Sequence, residues 1–218
     1  PWRHAPRDYG PPKTLYNRYV RWAIKGIWRR IFEALATAGG PPAEVLLDAT
    51  YAKAHRSASG GKGGSARKPS GARVVGDAKI HAAANQGGKP IAFHLSGGNT
   101  AGKPIAFHLS GGNTADLRGG ETLIEAVPEG AVVIADRAFD ADRFRRAIEA
   151  RGAVPNIPPK ANRRWKSCFS PVLYRSRNAI ERMFCRLKDF RRVATRYDRL
   201  AATYLAAVHI AAIVAFWL

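Results

Sequence analysis

Cysteine is nearly absent. Cys168 and Cys185 are the only two in 218 residues, too few and too far apart for a disulfide scaffold or a CxxC metal knuckle, and the scarcity suits a reducing cytosol. Acids are also in short supply. Sixteen Asp and Glu face 36 Lys and Arg, a formal charge of +20, well beyond what solubility requires, so the natural partner is a polyanion. Long apolar runs are missing too. The longest, Leu205 to Leu218, is 14 residues and carries His209, short of the roughly 20 needed to span a bilayer, so no membrane partner is expected. The chain opens on Pro1-Trp2-Arg3 with no charged-then-apolar leader, which predicts a fragment that has lost its N-terminus. Against these absences stand 46% apolar and 10% aromatic residues, enough for a packed core and too many for a disordered tail.

Arg supplies 25 of the bases and Lys 11. The planar guanidinium fork suits phosphates and base edges, which puts nucleic acid first among polyanions. In residues 1–40, Trp2, Tyr9, Tyr16, Tyr19, Trp22, Trp28 and Phe32 alternate with bases that include Arg18 and Arg21. Apolar positions at three- and four-residue steps predict a helix from about Thr14, its basic face solvated or laid on DNA phosphates. Gly39-Gly40-Pro41-Pro42 ends this segment and divides the chain into a basic helical 1–40 and a larger domain, 43–218.

Beyond that break the pattern alternates. Val45 to Tyr51, Lys79 to Ala84, Ala131 to Asp136 and Ala153 to Ile157 read as strands, with a hairpin turn at Asn85-Gln86-Gly87-Gly88. Helices are expected from Asp116 to about Ala126, from Asp140 to Ala150, around Glu181 and from about Thr203 to the end. Alternation of this kind predicts an α/β or α+β fold, a sheet flanked by helices. Residues 57–76 form a basic Gly/Ser-rich loop in which Gly60-Gly61-Lys62 lacks the Ser/Thr and the earlier glycine of a P-loop. Gly88 to Ala101 reads GKPIAFHLSGGNTA and is repeated letter for letter from Gly102 to Ala115. Two identical copies are a duplication and not a solenoid. Either copy, with Ile91, Phe93 and Leu95 or Ile105, Phe107 and Leu109 on one face, could fill the third strand.

Three acids occupy unexpected places: Asp48 and Asp136 at the ends of apolar runs, and Glu181 within a basic stretch. Separately, each has an ordinary explanation as a turn acid, a cap, or an i,i+4 partner of Arg177. Together, two strand-end carboxylates brought side by side by parallel pairing need a cation between them, and hard oxygen ligands suit Mg²⁺ or Mn²⁺. A pair of such ions supports in-line phosphoryl displacement. Tyr174, Arg177, Glu181 and Lys188, at offsets 0, 3, 7 and 14, fall within a stripe about 60° wide on an unbroken helix. Residues 160–199 hold 13 bases and 3 acids, so Arg163, Arg164, Arg191 and Arg192 join Arg18, Arg21, Tyr174, Arg177 and Lys188 as candidate DNA contacts. Asp140 and Asp142 read as helix-start acids. His81, His94, His108 and His209 have no partner at zinc spacing and read as core or surface residues.

The Tyr174–Arg177–Glu181–Lys188 spacing resembles the Y-R-E-K signature of bacterial insertion-sequence DDE transposases. Leu47-Asp48-Ala49-Thr50, Lys79-Ile80-His81-Ala82, Ala135-Asp136-Arg137-Ala138-Phe139-Asp140 and Arg191 to Asp198 are similar, in order, to motifs of the IS-five family. That resemblance implies an RNase H-like core of the α/β class, a mixed sheet flanked by helices, with a two-ion Mg²⁺ or Mn²⁺ mechanism, cut-and-paste transposition and a triad of Asp48, Asp136 and Glu181. It further implies transposon-end and target DNA as partners, a homodimer as the active complex, and a bacterial cytoplasmic, nucleoid-associated location. Two rival classes are a nuclease on the same fold that stops at hydrolysis, and a non-catalytic basic module that coats nucleic acid.

Overall fold

The computed structural model describes residues 2–58, 77–97 and 112–218. Its centre is a mixed six-stranded sheet in the order β3-β2-β1-β4-β5, with a short β6 paired to the far end of β1. The strands are β1 (Glu44–Ala54), β2 (Ala78–Asn85), β3 (Pro90–Gly97), β4 (Val132–Ala135), β5 (Val154–Asn156) and β6 (Thr195–Arg196). β1, β2 and β3 run antiparallel in sequence, whereas β4 lies parallel to β1 and β5 parallel to β4. Among the described residues eight α-helices surround it: α1 (Pro12–Ile24), α2 (Ile27–Thr37), α3 (Gly112–Leu123), α4 (Asp142–Glu149), α5 (Pro171–Tyr174), α6 (Asn178–Lys188), α7 (Arg191–Ala194) and α8 (Ala201–Trp217). The sequence predicted this α/β architecture, and the strand order and flanking helices are consistent with an RNase H-like fold.

Side-chain alternation assigns the two faces of the sheet. Leu46, Ile80, Ala82 and Ile134 share one core with Ile180, Met183, Phe184 and Leu187 of α6 and Tyr204 and Val208 of α8. Val45, Leu47, Val133 and Ala135 point the other way, into a core with Leu117 of α3 and Phe144 and Ile148 of α4. Even-numbered residues of β1 and β4 therefore face α6. α8 is apolar almost all round, as a helix buried on several sides must be. It also receives Tyr19 and Ala23 of α1 through Ala206.

The helix in the N-terminal segment begins two residues before Thr14, at Pro12, where proline's missing N–H costs nothing. β1 runs three residues beyond its apolar stretch, because its polar end is paired with the start of β2 and with β6. The first copy of the duplicated block supplies β3, and the second supplies the first four residues of α3. Its Ile105, Phe107, Leu109 and His108 lie outside the described residues, as does the basic loop from 59 to 76. α3 starts at Gly112, ahead of Asp116, and packs closely on the sheet through paired glycines. A Cβ on Gly119 would sit 2.4 Å from the buried ring of His81, and one on Gly120 would sit 2.7 Å from Phe139. His81 and His209 are core residues, and burial lowers them to about 3 and about 4.

Candidate active site

Parallel pairing of β1 with β4 places Leu47 opposite Ala135. One residue further on, Asp48 and Asp136 stand at equivalent positions of neighbouring strands, both on the face that carries α6. Asp48 lies inside β1, where its Oδ1 accepts the N–H of Ala49 at 2.8 Å. Asp136 follows the last residue of β4 in extended conformation and caps the 3₁₀ turn Arg137–Phe139 by accepting the N–H of Ala138 at 2.9 Å. The capping role open to it from sequence is thus real and leaves the second carboxylate oxygen available.

Glu181 comes from α6, whose apolar side seats it on the sheet. The segment leading to it is not one helix. α5 ends at Tyr174, Arg175–Arg177 form a 3₁₀ turn, and α6 begins at Asn178. Three of the four residues of the stripe still meet despite the break. The Arg177 guanidinium lies 6.0 Å from the Tyr174 ring centroid, donates to Glu181 Oε1 at 2.5 Å and donates to Asp48 Oδ2 at 3.1 Å. Lys188 closes α6 two turns further along and is half-buried.

One guanidinium therefore ties together carboxylates that are 133 positions apart in sequence (181 − 48). Burial pushes the Asp48 carboxyl above the usual carboxylate range. Arg177 and the Ala49 N–H pull it back, and the charges of Asp136 and Glu181 add to the rise. Burial likewise opposes the charge on Arg177, but Asp48, Tyr174, Glu181 and Asp136 outweigh it and raise its basicity. Tyr174 is raised, first by burial and then by the same three acids, against Arg177. Three carboxylates, a phenol and one guanidinium share a single electrostatic environment. Among the described residues no three His, Cys, Asp or Glu side chains form a ready-made metal cage. Arg177 bridges two of the acids, Asp48 and Glu181.

A cleft of about 560 Å³ opens beside this cluster, walled by Asp136, Arg137, Pro158, Phe169, Tyr174 and Arg177. Arg137, Pro158 and Phe169 carry no spacing signal in the sequence. Arg137 is there because it follows Asp136 in the turn after β4, and Pro158 and Phe169 are brought there by the chain that crosses from β5 to α5. Asn156 and Ser170 pin the two ends of that crossing: Ser170 N–H donates to Asn156 Oδ1 at 2.8 Å, and Asn156 Nδ2 donates back to the Ser170 carbonyl at 3.2 Å.

The candidate DNA contacts separate into two groups. Arg18, Arg21, Arg164 and Arg191 are exposed, although Arg191 also donates to the Tyr197 hydroxyl at 3.0 Å. Arg192 is committed within the protein. It pairs with both oxygens of Asp198 at 3.0 and 2.6 Å and lies over the Tyr19 ring.

Arg163 is held by Asp140 and Asp142 at 2.6 Å each. Asp142 is the helix-start acid of α4 as expected, but Asp140 has a larger task. Its side chain is fully buried and accepts from Arg145 at 2.9 Å, Arg163 at 2.6 Å and the Lys160 N–H at 2.7 Å. Burial alone would raise the Asp140 carboxyl, yet the bonds from Lys160, Arg163 and Arg145 prevail and hold it below the usual range. Asp140→Ala strands the buried Arg145 and should cost about 3–5 kcal/mol, read as a lowered melting temperature. Because the folded value is depressed, this contribution is complete above the unfolded value near pH 4 and is lost as pH falls through the folded value. Melts of the wild type and Asp140→Ala should therefore converge in acid, and a constant gap between them would refute the assignment.

A mixed sheet in this strand order, with Asp48 on one central strand, Asp136 directly after its parallel neighbour and Glu181 on the helix packed against the sheet, is consistent with an RNase H-like protein with Asp136 in an open cleft. Residues 39–216 match the family model described as the transposase DDE domain, and the chain belongs to that family. It is also 35% identical over 80 residues to a Brucella ovis protein named as a transposase for insertion sequence element IS6501, a match covering 36% of this chain. The chain spans about 62% of the length of that curated relative. No solved structure matches it.

Proposed function

We propose that this chain is a transposase of the IS-five type, in which Asp48, Asp136 and Glu181 form the catalytic triad for cleavage at the ends of an insertion sequence and transfer of the freed 3′-hydroxyl into target DNA. The observation that supports this reading best is the placement of Asp48 and Asp136 at equivalent positions on parallel strands, with Glu181 joined to Asp48 through Arg177. The donor set fits Mg²⁺ or Mn²⁺. It consists of carboxylate oxygens only, it includes a carboxyl lifted by burial and by two like charges, and a guanidinium already fills the role of a cation among them. Asp48, Asp136 and Glu181 would hold the metal, which in such sites activates the attacking oxygen and stabilises the leaving one. Arg177 and Tyr174, at the mouth of the cleft, would orient the scissile phosphate once Arg177 is released from the acids.

A pre-nicked transposon-end duplex incubated with target DNA and Mg²⁺ tests the reading. Joined products are expected. Hydrolysis without joining would identify a nuclease on the same fold, and retained activity in Asp48→Asn would place the chemistry elsewhere. Lys188, on the stripe of Glu181, should meet the DNA backbone. Lys188→Ala should weaken binding and flatten the logarithmic salt dependence by about one unit, and an unchanged slope would remove it from the interface.

A further inference from the structure

Trp165 is 80% exposed, more than any other large apolar side chain among the described residues except the terminal Leu218. An indole carries about 150–250 Å² of surface, so leaving one in water invites a partner. Its surroundings narrow the choice. A cavity of about 520 Å³ is walled by Trp165 together with Arg163, Arg164, Lys166, Ser167 and Asp142. No second apolar side chain lines it, which disfavours a protein hot spot, where an aromatic anchor sits in an apolar patch. Arg164 and Lys166 are exposed on either side of the indole. The one carboxylate present, Asp142, is engaged by Arg163.

The platform is also fixed in place. Asp140 accepts from the Lys160 N–H just before it and from Arg163 at its start, and Asn156 binds Ser170 just after it. The same crossing segment contributes Pro158 and Phe169 to the cleft that contains Asp136. Trp165 therefore sits in a hollow of its own on the segment that also helps wall the Asp136 cleft, with Arg164 and Lys166 lining the same hollow and the indole exposed.

We infer that residues 163–167 form a stacking platform on which the indole of Trp165 receives an unpaired nucleobase of a DNA strand, while Arg164 and Lys166 hold the flanking phosphates. Base–aromatic stacking with neighbouring phosphate contacts is how single strands are held without sequence preference. The inference rests on the reading of the chain as a DNA-processing protein, but its test needs no catalysis.

With the full chain in a chelating buffer, binding is measured to a blunt duplex and to the same duplex carrying a short single-stranded oligothymidine overhang with one 2-aminopurine. The wild type should prefer the overhang and quench the 2-aminopurine. Trp165→Ala should weaken overhang binding on the order of tenfold, abolish the quenching and leave blunt-duplex binding within about twofold. Trp165→Phe should keep most of the preference. Replacing Arg164 and Lys166 together by Ala should instead reduce the salt dependence on both probes. Equal loss on both probes in Trp165→Ala would make the indole a plain duplex contact and overturn the platform, as would no loss on either. If the wild type binds neither probe, the DNA reading itself fails.

Discussion

Asp48→Asn, Asp136→Asn and Glu181→Gln are each expected to reduce DNA cleavage by roughly a hundredfold or more while leaving DNA binding in place. Loss of residues that merely orient a metal's ligands costs about 10–100-fold, so loss of a ligand should lie at or beyond the top of that range. The structure also forecasts how stability should respond. The Asp48 carboxyl is raised by burial and by Asp136 and Glu181, so an uncharged amide of the same shape relieves repulsion and keeps the fold intact. Asn at position 136 can still accept the N–H of Ala138 that caps the following turn. Normal melting with lost cleavage would separate chemistry from folding. Retained cleavage in any one variant would remove that residue from the triad.

Deleting Gly102 to Ala115 should raise the melting temperature. The first copy already occupies β3, and the sheet's third position is taken. Because the copies are identical, the deletion leaves the sequence of β3 and the opening Gly-Asn-Thr-Ala of α3 intact and removes only the 14 residues between Gly97 and Gly112. Closing a connection of that length costs about 2 kcal/mol of chain entropy, which corresponds to roughly 4–8 °C for a protein of this size. Thermal unfolding of parent and deletion variant, with soluble yield as a second readout, checks this. A lower melting temperature in the deletion variant would mean that the inserted length bridges a distance the shorter chain cannot.

Local pattern and long-range architecture were not equally legible. Apolar runs and alternation located β1, β2, β4, β5 and α8 because each buries a face that hydropathy can report. The polar end of β1 escaped notice, since its residues are held by the backbone pairing of β2 and β6 and not by burial. The stripe around Glu181 is visible in the sequence, but the 3₁₀ turn at Arg175–Arg177 is not, because side-chain spacing does not distinguish a single tightened turn from a continuous helix. Asp140 looked like any helix-start acid. Its partners stand 5, 20 and 23 residues further along the chain, a separation no short-range rule detects. Arg177 showed its i,i+4 relation to Glu181, whereas its bond to Asp48 spans 129 residues and emerges only once β1 and α6 are packed together.

The bridge that Arg177 makes has a bearing on how such a protein can exist between encounters with its substrate. Many acid-rich pockets depend on an outside ion to hold their charges together, and their folding is then bound to metal supply. Here the counter-charge for Asp48 and Glu181 is written into the chain, so a newly made molecule can mature, persist and diffuse with those two acids quietened by its own side chain.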